Sequence, residues 1–415
     1  VTTTTIAQPR SGLSGTASAY LSLFLISAAA ASSYFAYDVV SPLGDILERD
    51  LSLTSSQVNM LYSIYSIPVI FLVVFGGVLA DRLGVRRASL LFTGLFTLGA
   101  FLTAVGNFPM MLVGRLIFGI GAECFYVVMN KVMAKWFKNR SLALAFGLNL
   151  FLCRAGTYLA FFGLPQMVEM MESWRLVMLV AAGITAVAVP LMFLYSILDR
   201  RGERLGFTAL EEEPEAFHFS EILRLPRAFW LISLLCLVYY ASIFPFTAIA
   251  PRFFQERYGM DREAAGSLTG LLTLISMCST WFFGLLVDRF GRRAIMMIVG
   301  SLLMIPCHLS MAITDINPLI PMVVLGLSFS LVPAALWPAI PLLVRGELLG
   351  TAFGVTAMMQ NVGLFLFPLA AGALRDTQGN YTGAMLMFSA MSVLGVVLAV
   401  MLRRAEGVLD AQRRS

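Results

Sequence analysis

Charge is scarce in this sequence. Only 13% of its 415 residues are Asp, Glu, Lys or Arg, while 59% are hydrophobic. Ordinary soluble domains carry about a quarter charged residues, so a water-soluble fold is excluded. Histidine is almost missing: His218 and His308 are the only two, and neither stands in a metal or nucleophile motif. The five cysteines, Cys124, Cys153, Cys236, Cys278 and Cys307, fall inside apolar runs without ligand spacing and read as small core hydrophobes. A disulfide framework and a metal centre are thereby excluded, no cofactor is implied, and no enzymatic activity is expected. The first fifteen residues hold one basic residue, Arg10, and no cleavage pattern, so the first apolar run is expected to stay as a helix. The net charge of +5 is spread between apolar runs, which argues for membrane orientation and against nucleic-acid binding.

What the chain does have is apolar runs, twelve of them, at the roughly 20-residue length that crosses a bilayer as helix. The expected fold is an all-α membrane protein: twelve transmembrane helices in two six-helix bundles related by pseudo-two-fold symmetry. The expected limits are a tail over 1–15, a first bundle over 16–198, a linker over 199–226, a second bundle over 227–402 and a tail over 403–415. With both termini inside, 20 of the 29 Lys and Arg fall in cytoplasmic segments and six outside, which predicts cytoplasmic termini.

An internal repeat supports the two-bundle reading. Under a shift of 207 residues, Gly77, Asp81, Arg82, Gly84 and Arg86 fall on Gly284, Asp288, Arg289, Gly291 and Arg293. Leu142, Ala145, Phe146, Gly147 and Gly156 fall on Leu349, Ala352, Phe353, Gly354 and Gly363. Such repeats mark transporters whose substrate site lies near the midplane between the halves.

Ionisable groups inside spans are costly and mark function by default. Glu123 in span 4 and Arg154 in span 5 each lie about 14 residues from the cytoplasmic side, roughly 20 Å deep at 1.5 Å per residue. They can pair with each other and lock the bundle. They can also hold the two ends of a zwitterion, Arg154 forking a carboxylate and Glu123 accepting an ammonium. Asn130 shares the Glu123 face of span 4; Lys131 is turned away and suits snorkelling or a latch. Under the repeat, Arg154 becomes Asn361, Asn130 becomes Trp337 and Glu123 becomes Ser330, so charge recognition is expected to sit in the first half. Tyr239, Tyr240 and Gln360 lie near mid-depth, with core packing the alternative for the aromatics. Tyr34, Tyr65 and Asp38 lie in the outer half, suited to substrate contact or an outer gate, with interfacial anchoring the alternative for tyrosine.

The loops Gly76-Gly77-Val78-Leu79-Ala80-Asp81-Arg82-Leu83-Gly84 and Gly284-Leu285-Leu286-Val287-Asp288-Arg289-Phe290-Gly291 closely resemble the signature of the major facilitator superfamily. The resemblance implies alternating access, with Asp81, Arg82, Arg86, Asp288 and Arg289 forming a cytoplasmic latch. The stretch from Gly114 to Gly121 resembles the family's fourth-helix motif, which implies a structural or coupling role for Arg115. The stretches Ser33–Asp38, Leu61–Ser66, Gly114–Glu123, Phe244-Pro245-Phe246, Ala335–Pro338, Gly350–Gly354 and Gln360–Gly363 are similar to the lysosomal dipeptide uniporter branch and its microbial relatives. That resemblance implies a dipeptide facilitator in which Glu123 and Arg154 engage the amino and carboxyl ends. Lys131 and Ala122 depart from the branch's pattern, and an extra cation there bears on substrate charge preference. The expected partners are a small zwitterionic solute and the lipid bilayer; the chain is expected to work as a monomer in a cell membrane, and the sequence points to no accessory subunit. A proton-coupled symporter of organic anions or amino acids is the alternative, and a non-transporting receptor or scaffold a third.

Overall fold

A chain this apolar must satisfy its backbone N–H and C=O groups within each segment, and every regular element among the described residues is a helix. The computed structural model describes residues 13–137, 141–207, 225–344 and 348–414; the side chains of 13–14, 72–78, 80–81, 143, 288, 349–350 and 406–414 are outside that description. The first half comprises α1 (Leu13–Tyr37), a 3-10 turn (Asp38–Val40), α2 (Gly44–Asp50), α3 (Ser55–Val105), α4 (Phe108–Phe137), α5 (Leu142–Met171), α6 (Trp174–Ala186) and α7 (Ala188–Arg204). The second comprises α8 (Arg227–Tyr258), α9 (Arg262–Phe290), α10 (Arg293–Ile313), α11 (Leu319–Leu336), α12 (Ile340–Leu343), α13 (Leu349–Gln378) and α14 (Thr382–Arg414). Eleven helical segments among the described residues are long and apolar enough to cross a membrane. The opening part of α3 stands between the first two of them in the chain.

The breaks follow from chemistry. α3 carries two spans and turns at Gly84, whose φ of 72° is a left-handed conformation that glycine adopts freely. Pro190 lacks an N–H and its ring opposes the Ala186 carbonyl, so span 6 divides into α6 and α7. Pro42 does the same to span 1. α1 is regular to Tyr37, where the 3-10 turn Asp38–Val40 takes over. α7 continues to Arg204, past the expected linker start, because Asp199 and Glu203 bond to Lys135 of the neighbouring α4. α14 continues to Arg414, past the expected tail start, through a run rich in Ala, Leu, Glu and Arg, good helix formers.

Each half has its own apolar core. One is built around Phe92, Phe96, Phe118 and Phe125 on α3 and α4, the other around Phe229, Phe246, Met304 and Phe388 on α8, α10 and α14. The halves meet chiefly along two helix pairs, α3 with α13 and α5 with α9. A shift of six spans converts one pair into the other, so the interface keeps the symmetry of the repeat. We call the face carrying the Gly84 and Gly291 turns the terminal face, because α1 begins and α14 ends there, and the opposite one the far face.

At the far face α13 lies very close to α3. A Cβ added to Gly372 would sit 2.6 Å from the Ser56 Cα. Gly372→Val is expected to force the pair apart at a cost of roughly 1–3 kcal/mol, the usual penalty for overpacking. A lowered thermal unfolding midpoint in detergent checks this.

Candidate substrate site

The end of α1 and the 3-10 turn after it set the geometry above the site. Arg115 of α4 is fully buried and ties α1 to α3: Nη1 donates to Ala36 O at 3.2 Å, Nη2 to Tyr37 O at 3.0 Å, and Nε to Leu61 O at 2.8 Å. The Tyr62 hydroxyl donates to Asp38 O at 3.2 Å and accepts from the Ser41 N–H at 3.0 Å. The Arg115 guanidinium also lies against the rings of Tyr37, Tyr62, Tyr65 and Phe118. Asp38 is buried in this group and its carboxylate is bonded by Thr157 of α5.

Below it, Tyr65 donates to Glu123 Oε1 at 2.8 Å. Glu123 makes no ion pair with Arg154 among the described residues, so the expected lock between them is not formed. Instead Arg154 reaches across the interface. Its Nη1 donates to Ser276 Oγ of α9, and its guanidinium stacks 4.2 Å from the centre of the Phe329 ring on α11. Its Nε is buried and has no hydrogen-bond partner among the described residues. Tyr34 of α1 stands within electrostatic reach of both charges and packs edge-on against Tyr126.

The second half faces this pair with aromatic groups. Trp337 Nε1 donates to the Tyr240 hydroxyl at 3.0 Å. Tyr240 stacks on Phe244, Phe244 meets Phe329 edge-on, and Trp337 stacks on Phe353. Tyr239 is fully buried and its hydroxyl is taken by the Ser328 carbonyl at 2.8 Å, which suits the packing alternative better than substrate contact. Gln360 is half-buried and accepts from the Cys236 thiol. Asn361 donates to Ala357 O of its own helix and has a buried Oδ1 without a partner. Asn130 is exposed.

The side chains of Asp81 and Asp288 lie outside the described residues. Arg82 and Arg289 are exposed, and Lys131 is half-buried. Arg86 pairs within its own half, with Glu203 at 2.9 Å and Asp199 at 3.6 Å, and Lys135 joins the same two carboxylates at 2.6 and 2.9 Å. Lys135, Asp199 and Glu203 had a signal: two acids spaced i, i+4 on one helix, and a lysine at the end of another.

A far-face network was not expected. Arg252 of α8 donates to Glu48, Asn59 and Ser55 of the first half. Arg262 pairs with Asp45 at 2.6 Å. Asp376 of α13 accepts from the backbone N–H groups of Ser55 and Ser56, each at 2.9 Å, and from the Ser56 hydroxyl. Ser41 donates to Thr247 O at 2.9 Å. These bonds join the halves across the far face and close it.

An interface between repeat-related bundles that is sealed at one face is the arrangement of a membrane carrier. The chain belongs to the Major Facilitator Superfamily, whose family model matches residues 23–368 and 248–414. The bovine and human proteins named lysosomal dipeptide transporter MFSD1 are 33% and 32% identical over 396 residues, which cover 90% of this chain and 84% of theirs. A probable sulfoacetate transporter of Cupriavidus necator is 22% identical, over 87% of this chain and 88% of its own. Among solved structures, the nucleoside transporter NupG superposes with a TM-score of 0.73 at 15% identity, covering 92% of this chain and 99% of that one, a likeness of fold.

Proposed function

We propose that this carrier is a facilitator of dipeptides or similar small zwitterions. The observation that carries the reading is the Arg154 side chain, half-buried at the interface, whose buried Nε has no hydrogen-bond partner among the described residues. A guanidinium there calls for a planar anion with two acceptor oxygens, which a carboxylate supplies. Glu123, bonded only by Tyr65 among the described residues, supplies the acceptor for an ammonium. The aromatic wall of Tyr240, Phe244, Phe329 and Trp337 offers neutral contact to the side chains between those two ends. The named activity of the MFSD1 relatives agrees with this. Tyr34 lies beside the substrate, Asp38 and Arg115 hold the broken end of α1, and the terminal-face loops with Asp81, Arg82, Arg86, Lys131, Asp288 and Arg289 serve as the second gate. The terminal face is cytoplasmic on the distribution of Lys and Arg. The membrane is a cell membrane in this reading and a lysosomal one by the relatives' name; subcellular fractionation decides between them.

Uptake of a labelled dipeptide into proteoliposomes tests the function. Flux should follow the dipeptide gradient and leave an internal pH dye unchanged. Substrate-driven acidification would instead favour the symporter reading, with Glu123 carrying the proton. Glu123→Gln keeps the Tyr65 contact and removes the charge. It is expected to slow uptake at least about tenfold, as for loss of a charge-assisted bond.

A further inference from the structure

We propose that Ser276 stands in for the substrate's carboxylate, binding Arg154 across the interface while the site is empty. The inference rests on reading Arg154 as the carboxylate-binding residue and adds the residue that holds it in waiting. Arg154 belongs to the first half and cannot shed its charge. Ser276 belongs to the second and is fully buried. Its Oγ accepts from Arg154 Nη1. It is itself held: Ser330 Oγ donates to Ser276 O at 2.8 Å and lies 3.3 Å from Ser276 Oγ, and Ser279 and Ser330 lie 2.7 Å apart. Ser330 is the repeat counterpart of Glu123. Arg154 therefore points, across the pseudo-two-fold axis, at the polar cluster that occupies the place of a carboxylate in the other half. Phe329 holds the guanidinium plane from one side.

The consequence is a link between occupancy and closure. A hydroxyl is a weaker acceptor for a guanidinium than a carboxylate is. An arriving substrate displaces Ser276, and a departing one is replaced by it. Without such a replacement, an empty interface would hold a buried, unsatisfied cation and would resist closing. Ser276 makes closure without cargo possible.

Spin labels at Met170→Cys and Asp315→Cys, both exposed at the far face, with the exposed Cys278 changed to Ser, report the separation of the halves in lipid nanodiscs without substrate. Loss of a hydrogen bond to a charged group predicts that Ser276→Ala raises the open fraction about tenfold. Ser279→Ala, one step away in the same cluster and not touching Arg154, leaves the distribution as in the parent protein. Superimposable distributions for Ser276→Ala and the parent, or equal opening by both variants, overturn the proposal. A thermal-shift titration with a dipeptide adds a second arm. Ser276→Ala should bind the dipeptide several-fold more tightly, since a competitor for Arg154 is gone; weaker binding would make Ser276 a substrate ligand and also overturn it. A parent protein that binds no dipeptide sinks the proposed function, while the distance measurement still judges Ser276.

Discussion

Arg154→Ala is expected to reduce dipeptide uptake by at least about a hundredfold, within the 2–5 kcal/mol typical for removing one member of a desolvated charge pair. On the proposed function the side chain forks the substrate carboxylate, so its loss would leave that anion without a partner beside aromatic rings. It also carries the mid-depth hydrogen bond between α5 and α9, so closure without substrate loses its link to Ser276. Arg154→Lys keeps the charge and gives a different answer. An ammonium is a point charge, cannot fork a carboxylate and stacks less well on Phe329, so uptake should stay roughly tenfold or more below the parent. Rates measured per carrier, with the amount of folded protein fixed by size-exclusion, check both variants. A hundredfold loss with Ala and full recovery with Lys would reduce the role of Arg154 to its charge alone.

The second large effect concerns stability. Arg115→Ala removes three hydrogen bonds to backbone carbonyls on two helices and opens a cavity beside four aromatic rings. Each buried carbonyl that loses its guanidinium partner costs up to about 1–3 kcal/mol, and the bonds to Ala36 and Tyr37 tie down the end of α1, where it gives way to the 3-10 turn. The variant should unfold many degrees below the parent, or fail to accumulate in the membrane. Arg115→Lys can reach one carbonyl and not all three, and should fall between. Detergent thermal unfolding followed by tryptophan fluorescence measures the order. If Arg115→Ala unfolds at the parent's midpoint, the account of how α1 is held is wrong.

The architecture was legible because its signals are collective. Twelve apolar runs and a repeat of 207 residues summed over many positions, and no single substitution could hide them. Glu123 and Arg154 stood out because a charge inside a span is rare. Their relation did not. Equal depth suggested an ion pair, whereas rotation about the helix axes gives Glu123 to Tyr65 and Arg154 to Ser276, and depth counted along the chain carries no rotation. Ser276 itself is a serine among many, and nothing in its neighbours marks it until α9 is packed on α5. Arg252 and Glu48 were hidden differently. Charges near the ends of apolar runs look like loop charges, and their pairing joins residues 204 positions apart. The break after Tyr37 had a sign in Pro42, and the division of span 6 had one in Pro190. Both were masked by the unbroken hydrophobicity around them.

The central claim is that opposite ends of one zwitterion are held by Glu123 and Arg154. Competition against labelled dipeptide uptake in proteoliposomes, using the same dipeptide N-acetylated or C-amidated, tests it most directly. The free dipeptide should compete well, and each blocked form at least about tenfold less, since each leaves one buried charge unpaired. Glu123→Gln should lose the discrimination against acetylation and keep that against amidation; Arg154→Ala, in a binding version of the assay, should do the reverse. Equal competition by the free, acetylated and amidated dipeptides would contradict the account.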